Sequence, residues 1–293
     1  MSAPTGLGLW TAYQPTDILA RLRTVGARWV APRAGYDGWT DAHCRVADLL
    51  AYKRAGLAIY PWIYPSMHGW HLALAGLQQL WDTGLCDGLI VDWEAEWCGP
   101  DSAANNMQAR AFVAGLLAID SPADGHPWIA HAPMDYRSNH PTAPWAAFDA
   151  LDCAMIQLYA YEHDDRGHLY HLGRVLPQWA DTGKPCWPIG CTYRPRSRLV
   201  GGVPTVLPPM TPAVIAADVA AFLDAPALAG LPVSLYSIEA ASPEVMAMLA
   251  DRAAPQPTAP STPDPTIPLD APAHALGVAD RAEQEAADDT ARG

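Results

Sequence analysis

Short apolar runs and amphipathic stretches alternate along this chain from residue 6 to residue 252, and that rhythm constrains its fold more than any other feature. The runs at 6–13, 28–34, 57–64, 88–93, 128–132, 153–161, 186–192 and 231–238 are short and apolar, as strands buried on both faces must be. Helix-like segments at 16–25, 41–54, 70–82, 103–119, 172–180, 211–223 and 243–252 fall between and after them. Gly56 closes the second helical segment, and Thr211 followed by Pro212 opens a later one, as helix-end chemistry requires. Eight strand-like runs with a helix following nearly every one predict a single α/β domain, a (β/α)₈ TIM barrel over 1–253. A doubly wound open sheet is the competing architecture. Seven prolines then crowd a Pro-rich linker at 254–272, followed by an acidic, Ala-rich tail at 273–293 that is read as disordered or as a short helix. The tail is a candidate docking peptide for a protein partner.

Charge narrows the ligand. The net charge is −13, which disfavours nucleic acid and anionic membrane surfaces as partners. No apolar stretch reaches the length of a membrane span. Six cysteines, Cys44, Cys86, Cys98, Cys153, Cys186 and Cys191, form no C-x-x-C pair and are read as free thiols. The N-terminal residues carry no secretory pattern, so the chain is expected to be cytoplasmic as synthesised, reaching an outside glycan by lysis or on a virion. Twelve tryptophans suit either a groove that stacks flat sugar faces or the layer between helix and sheet.

The most informative stretch runs from Asp87 to Trp97, Asp-Gly-Leu-Ile-Val-Asp-Trp-Glu-Ala-Glu-Trp. Ile90, Asp92 and Glu94 alternate onto one face of the fourth strand. Barrel active sites sit at the C-terminal ends of strands, where Asp92 and Glu94 fall. Two carboxylates held close together push a pKa upward and make a proton donor of one of them. A leaving glycosidic oxygen needs such a donor.

This segment resembles the fourth-strand motif of glycoside hydrolase family 18 chitinases, D-G-x-D-x-D-x-E, with Ile90 in place of the middle Asp. The wider layout resembles the family 25 lysozymes, compact muramidase barrels with a D-x-E motif on the same strand. Segments that carry this second likeness are 17–26, Lys53-Arg54-Ala55-Gly56-Leu57 leading into Tyr60-Pro61-Trp62, and Met155-Ile156-Gln157-Leu158-Tyr159. The resemblance implies that Glu94 is the general acid and that Asp92 orients the substrate's 2-acetamido group, the internal nucleophile. Family 25 lysozymes also carry an Asp on the first strand, where this chain reads Leu9-Trp10-Thr11-Ala12-Tyr13. The implied activity is hydrolysis of a β-linked N-acetylated glycan, peptidoglycan first. The alternative is a non-catalytic glycan-binding or structural barrel of a larger assembly.

Around the acids, the expected substrate-binding residues are Trp62, Tyr64, Trp93, Tyr159, Tyr161, Gln157, Arg33 and Asp135. Tyr60, Trp62 and Tyr64 share one face of the third strand, as do Gln157, Tyr159 and Tyr161 on the sixth. Arg33 could pair with Asp92 or Glu94, and Asp135 and Glu239 are second-carboxylate candidates. His163, His168 and His171 beside Asp164 and Asp165 are read as loop histidines, so no metal or organic cofactor is implied. Arg194, Arg196 and Arg198 are read as a solvated loop.

Overall fold

The computed structural model describes residues 3–253, except 14, 38, 41–43, 100, 101, 122, 123, 201 and 202. The linker and tail at 254–293 lie outside the described residues. Strands Leu7–Thr11, Trp29–Tyr36, Ala58–Ile59 with Trp62–Tyr64, Leu89–Trp93, Ile129–Pro133, Cys153–Ala154, Ile189–Cys191 and Val233–Tyr236 are the eight staves of a parallel sheet. Each pairs with its neighbour in chain order, and the eighth pairs with both the seventh and the first. Bridges Ala154↔Cys186 and Gln157↔Ile189 join the sixth stave to the seventh and close the ring. The structure is therefore the barrel that the eightfold rhythm predicts.

Alternation along the staves sorts the core into two layers. Trp10, Trp29, Tyr60, Trp62, Ile90, Met155 and Trp187 fill the barrel interior. Leu9, Val30, Ile63, Leu89, Val91, Trp93, Ile156, Leu158 and Leu235 face outward under the helices. There they meet Ile18 and Leu22 of α1 (Pro15–Thr24), Leu49 of α2 (Val46–Arg54), Leu77 of α3 (Trp70–Asp82) and Phe112 of α4 (Ser102–Leu117). Gly8 has no room for a side chain, because a Cβ there would stand 1.8 Å from the Trp29 ring. Two aspartates tie neighbouring staves together at the end where the strands begin. Asp87, just before the fourth stave, accepts the Ile59 amide at 2.7 Å and the Lys53 ammonium at 2.6 Å. Asp152, just before the sixth, accepts the Ile129 amide at 2.8 Å. The first acid of the Asp-Gly motif is thus a structural tie at the far end of the barrel from Glu94.

Two expectations are corrected in the segment after the sixth stave. That stave is shorter than predicted, and after Tyr159 the chain turns into two helices. These are a one-turn helix, α6 (Ala160–His163), and α7 (Gly167–Trp179), each numbered after a short helix α5 (Trp145–Phe148). His168 and His171 lie on α7 and are buried, not in a polar loop. His168 is held by α8 (Pro212–Leu223): Asp218 accepts its backbone amide at 3.1 Å and its Nδ1 at 2.5 Å, and accepts the Tyr161 hydroxyl at 2.8 Å. The Cys191 amide lies 3.0 Å from His168 Nε2, tying the ring to the seventh stave. Arg194 and Arg198 are no solvated loop either. Both pair with Asp165, at 2.8 Å and 3.1 Å, and root an antiparallel hairpin, Ser197–Val200 with Val203–Val206. Cys186 and Cys191 form no disulfide, nor do the other four cysteines. The last helix, α9 (Pro243–Arg252), is capped by the Ser242 hydroxyl, which accepts the Val245 amide at 3.3 Å.

Asp218→Ala would leave the His168 and Tyr161 donors without their acceptor in a largely buried setting. It is expected to cost at least about 2 kcal/mol of unfolding free energy, read as a lowered urea midpoint with an unchanged slope.

Candidate active site

Strand alternation alone aims the acids. On the fourth stave Leu89, Val91 and Trp93 point outward, while Ile90, Asp92 and, one step past the strand end, Glu94 point inward. Asp92 is buried, and its Oδ1 accepts the Gln157 side-chain amide at 2.6 Å. The second hydrogen of that amide goes to the Ala132 carbonyl at 3.0 Å, so both donors of Gln157 are used and its orientation is fixed. Burial, then the charges of Glu94 and Glu96, hold the Asp92 carboxyl well above the usual carboxylate range, with the Gln157 amide pulling against them. Glu94 is half-buried and is also raised, first by burial and then by Glu96. Both carboxyls keep a proton more readily than free carboxylates do. Below them Ile90 belongs to the apolar cluster of Trp10 and Trp62, so the place of a third motif acid is filled by hydrocarbon.

The pair opens into a cavity of about 650 Å³ at the C-terminal ends of the staves. Aromatic faces frame it. Tyr64 stacks on Tyr36 with centroids 5.0 Å apart and donates its hydroxyl to Glu96. Tyr159 stacks on Tyr236 at 5.3 Å, and Trp62 tilts against Trp10 at 5.9 Å. The Trp10 indole donates to Ser234 Oγ at 3.1 Å, whereas the buried Trp62 N–H has no acceptor among the described residues.

Of the expected binding residues, Trp62, Tyr64, Tyr159, Gln157, Arg33 and Asp135 line this cavity. Trp93 and Tyr161 do not. Trp93 faces the helices, stacked on Phe148 at 4.4 Å and donating to His131 Nδ1 at 3.1 Å. Burial lowers the pKa of His131 to about 3, keeping it a neutral acceptor. Tyr161 is turned outward by α6 onto Asp218. Both errors come from extending a two-residue period without asking which face it serves, or where it stops. Asp135 accepts the Tyr136 amide at 2.7 Å, and its Oδ2 lies 2.6 Å from His163 Nε2. Glu239 is outside the cavity lining. It accepts the Thr11 hydroxyl and the Ala12 amide, which brings a carboxylate to the end of the first stave but spends it on backbone.

Sequence reasoning missed Trp10, Tyr36, Tyr193, Tyr236, His140 and Glu162 as cavity residues and placed His163 in a loop. Tyr193 and Tyr236 end the seventh and eighth staves, and the strand-end rule that found Tyr64 and Tyr159 could have found them too. Glu162 carries no such signal, because a one-turn helix delivers it. The tryptophan surplus serves mainly the fold: of the twelve, Trp10 and Trp62 line the cavity. No group of three or more His, Cys, Asp or Glu side chains among the described residues is placed to hold a metal ion.

No protein-family model and no curated protein matches this chain. Solved structures do. A glycoside hydrolase family 18 N-acetylglucosaminidase from Paenibacillus barengoltzii superposes with a TM-score of 0.59 at 11% identity, over 85% of this chain and 99% of that one. An endo-β-N-acetylglucosaminidase from Cordyceps militaris gives 0.53 at 12% identity, over 87% and 92%. A xylanase and α-amylase inhibitor protein from Scadoxus multiflorus gives 0.53 at 10% identity, over 86% and 98%. At these identities the likeness is one of fold. It runs to family 18 barrels and does not carry the narrower resemblance to family 25 lysozymes.

A buried carboxyl with a raised pKa holds its proton in the folded chain while the unfolded chain has already lost it, so it subtracts stability as pH rises. Asp92→Asn is therefore expected to stabilise the protein at pH 7 by roughly 0.5–2 kcal/mol, as relief of active-site strain commonly does. The gain should vanish below about pH 3.9, where the unfolded carboxyl is protonated too. Thermal melts of both proteins across that range check it.

Proposed function

We propose that this barrel is a glycoside hydrolase acting on a β-linked N-acetylated glycan. One observation carries the reading: Glu94 faces an aromatic cavity at the mouth of the barrel, directly above an Asp92 that is buried and fixed by Gln157. Glu94, whose raised pKa favours the protonated form, gives its proton to the glycosidic oxygen as the C1–O bond breaks. The carbonyl oxygen of the 2-acetamido group closes onto C1 from the other side, its N–H held by Asp92. Water then opens this intermediate at C1, giving one proton to the Glu94 carboxylate and restoring the acid. Tyr159 and Tyr236 supply a stacked wall for the sugar.

Between substrates, the family 25 likeness points to peptidoglycan, and the cavity points to a chitin-type chain. Asp92, Glu94, Asp135 and Glu162 all line it, and the lactyl carboxylate of a muramyl residue would be brought against them. We therefore place N-acetylglucosamine chains first and peptidoglycan second. A non-catalytic glycan-binding barrel is the other reading, favoured by Ile90 in the place of a motif acid.

The wild-type protein should release reducing ends from chito-oligosaccharides, and Glu94→Gln should lower kcat/KM by roughly 10²–10⁴-fold with the fold intact. Activity should fall as pH rises through the pKa of Glu94, above the ordinary value of about 4.3. Oligosaccharide binding by both proteins with cleavage by neither would establish the non-catalytic barrel instead.

A further inference from the structure

Tyr36 is 50% exposed, although every other residue of its strand except Arg33 is buried. A single exposed aromatic ring is ordinary on a protein surface. What sets Tyr36 apart is how firmly it is held. It pairs with Tyr64 across the second and third staves, and the Asp37 amide donates to the Tyr64 carbonyl at 3.1 Å. Asp37 turns the chain with a left-handed φ of 49°, and its carboxylate accepts the Ser66 amide. Gly69 leaves the space for that carboxylate, since a Cβ there would stand 2.2 Å from Asp37 Cγ. The Tyr36 ring lies on the Tyr64 ring with planes 13° apart, and the Tyr64 hydroxyl is tied to Glu96. An open aromatic face is thus mounted on a second ring that is itself fixed.

The order of the staves says where this face stands. Tyr36 ends the second stave, Tyr64 the third, and Asp92 and Glu94 belong to the end of the fourth, and all four line one cavity. Tyr159 and Tyr236 belong to the ends of the sixth and eighth and line the same cavity. Around the ring of staves, the acids therefore have a stacked tyrosine pair on either side. The proposed reaction uses Tyr159 and Tyr236 as the wall for the reacting sugar and leaves Tyr36 and Tyr64 without a task. Tyr64 is one stave from the acids, and Tyr36 is one stave further out. A β-linked pyranose with equatorial substituents has flat faces of C–H groups, which suit the apolar body and negative face of an aromatic ring. A ring that is already held loses little freedom when a ligand covers it. Stacking of this kind is independent of whether the cavity's carboxyl groups hold their protons.

We infer that Tyr36, laid on Tyr64, is the stacking face of a second sugar subsite, so that the barrel grips a chain of several β-linked aminosugars and not a single sugar residue. The inference rests on the reading of the cavity as a glycan site. One sugar sits at Asp92 and Glu94 against Tyr159 and Tyr236, and the chain leaves the cavity over the third and second staves, across Tyr36. Tyr13 supplies an internal comparison, being 53% exposed but outside the cavity lining.

The test uses β-1,4-linked N-acetylglucosamine disaccharide and hexasaccharide. Binding is measured by calorimetry in the Glu94→Gln background, and turnover with Glu94 in place. Tyr36→Ala is expected to weaken hexasaccharide binding roughly five- to tenfold, as the loss of one stacked face should. In turnover the same factor should appear in KM for the hexasaccharide, with kcat unchanged. Cleavage of the disaccharide, which spans only the reacting bond, should keep its kcat/KM. Tyr36→Phe retains the flat face and should bind as the wild type does, whereas Tyr36→Leu retains bulk without the face and should lose nearly as much as Tyr36→Ala. Tyr13→Ala should change nothing, and circular dichroism should be the same throughout. Undiminished hexasaccharide binding in Tyr36→Ala overturns the inference, as does full binding in Tyr36→Leu or an equal loss in Tyr13→Ala. Should Tyr36→Ala fail to fold, the contrast between Tyr36→Phe and Tyr36→Leu decides by the same readings. The two proposals fail separately. Hexasaccharide cleavage that is indifferent to Tyr36 keeps the hydrolase and removes the subsite. Binding that depends on Tyr36 without cleavage keeps the subsite and removes the hydrolase. Absence of any binding or cleavage removes both.

Discussion

A stave of this barrel is buried on both faces, so every side chain on it goes either into the barrel or under a helix, and neighbours take opposite choices. The rest of the molecule follows from that restriction. It makes Leu89, Val91 and Trp93 the seat of the helix layer and leaves Ile90, Asp92 and Glu94 in a column along the barrel interior. The bottom of the column is hydrocarbon, packed against Trp10 and Trp62, and its top is acid. The Asp92 carboxyl is buried above this layer, and burial is the first cause of its raised pKa. Gln157 limits the cost by giving Asp92 a donor from the sixth stave, and it can do so because the same two-residue period turns it inward.

The walls of the cavity depend on a different kind of support. Glu162 and His163 sit on a helix of one turn, which could not hold its shape alone. The residue before them, Tyr161, is anchored to Asp218, and Asp218 is anchored to His168 on the next helix, whose Nε2 takes the Cys191 amide from the seventh stave. This buried chain of polar contacts spans α6, α7, α8 and the sheet. Its members resemble a catalytic Cys–His–Asp set by residue type, yet Cys191 and His168 are buried beyond the reach of any substrate. Their work is to place the rim. The ion pairs of Arg194 and Arg198 with Asp165 do the same for the segment leading from Tyr193 into the hairpin.

The fold and half of the site were legible before any coordinates. The helices at 70–82 and 243–252 were placed to the residue, and Asp92 and Glu94 were found because a strand's period and its apolar signature are local properties of ten residues. Trp62, Tyr64, Gln157 and Tyr159 followed from the same local rule. Where it failed, the cause was equally specific. Trp93 obeys the alternation and for that reason faces away from the cavity, and Tyr161 leaves the strand because the chain coils after Tyr159.

The sequence by itself determined the number of staves, the position of the acidic pair and the face it occupies, since each is written in the spacing of neighbours along the chain. Tertiary structure alone decided which side chains meet across the cavity. Asp135, Glu162, His163, Tyr193 and Tyr236 come from four different staves and become neighbours only when the sixth and seventh staves close the ring. It also decided which polar residues would be buried structure and which would stay open to a ligand. That depends on what packs over a side chain, and in the His168–Asp218 and Ala12–Glu239 contacts the partners lie 50 or more residues apart along the chain.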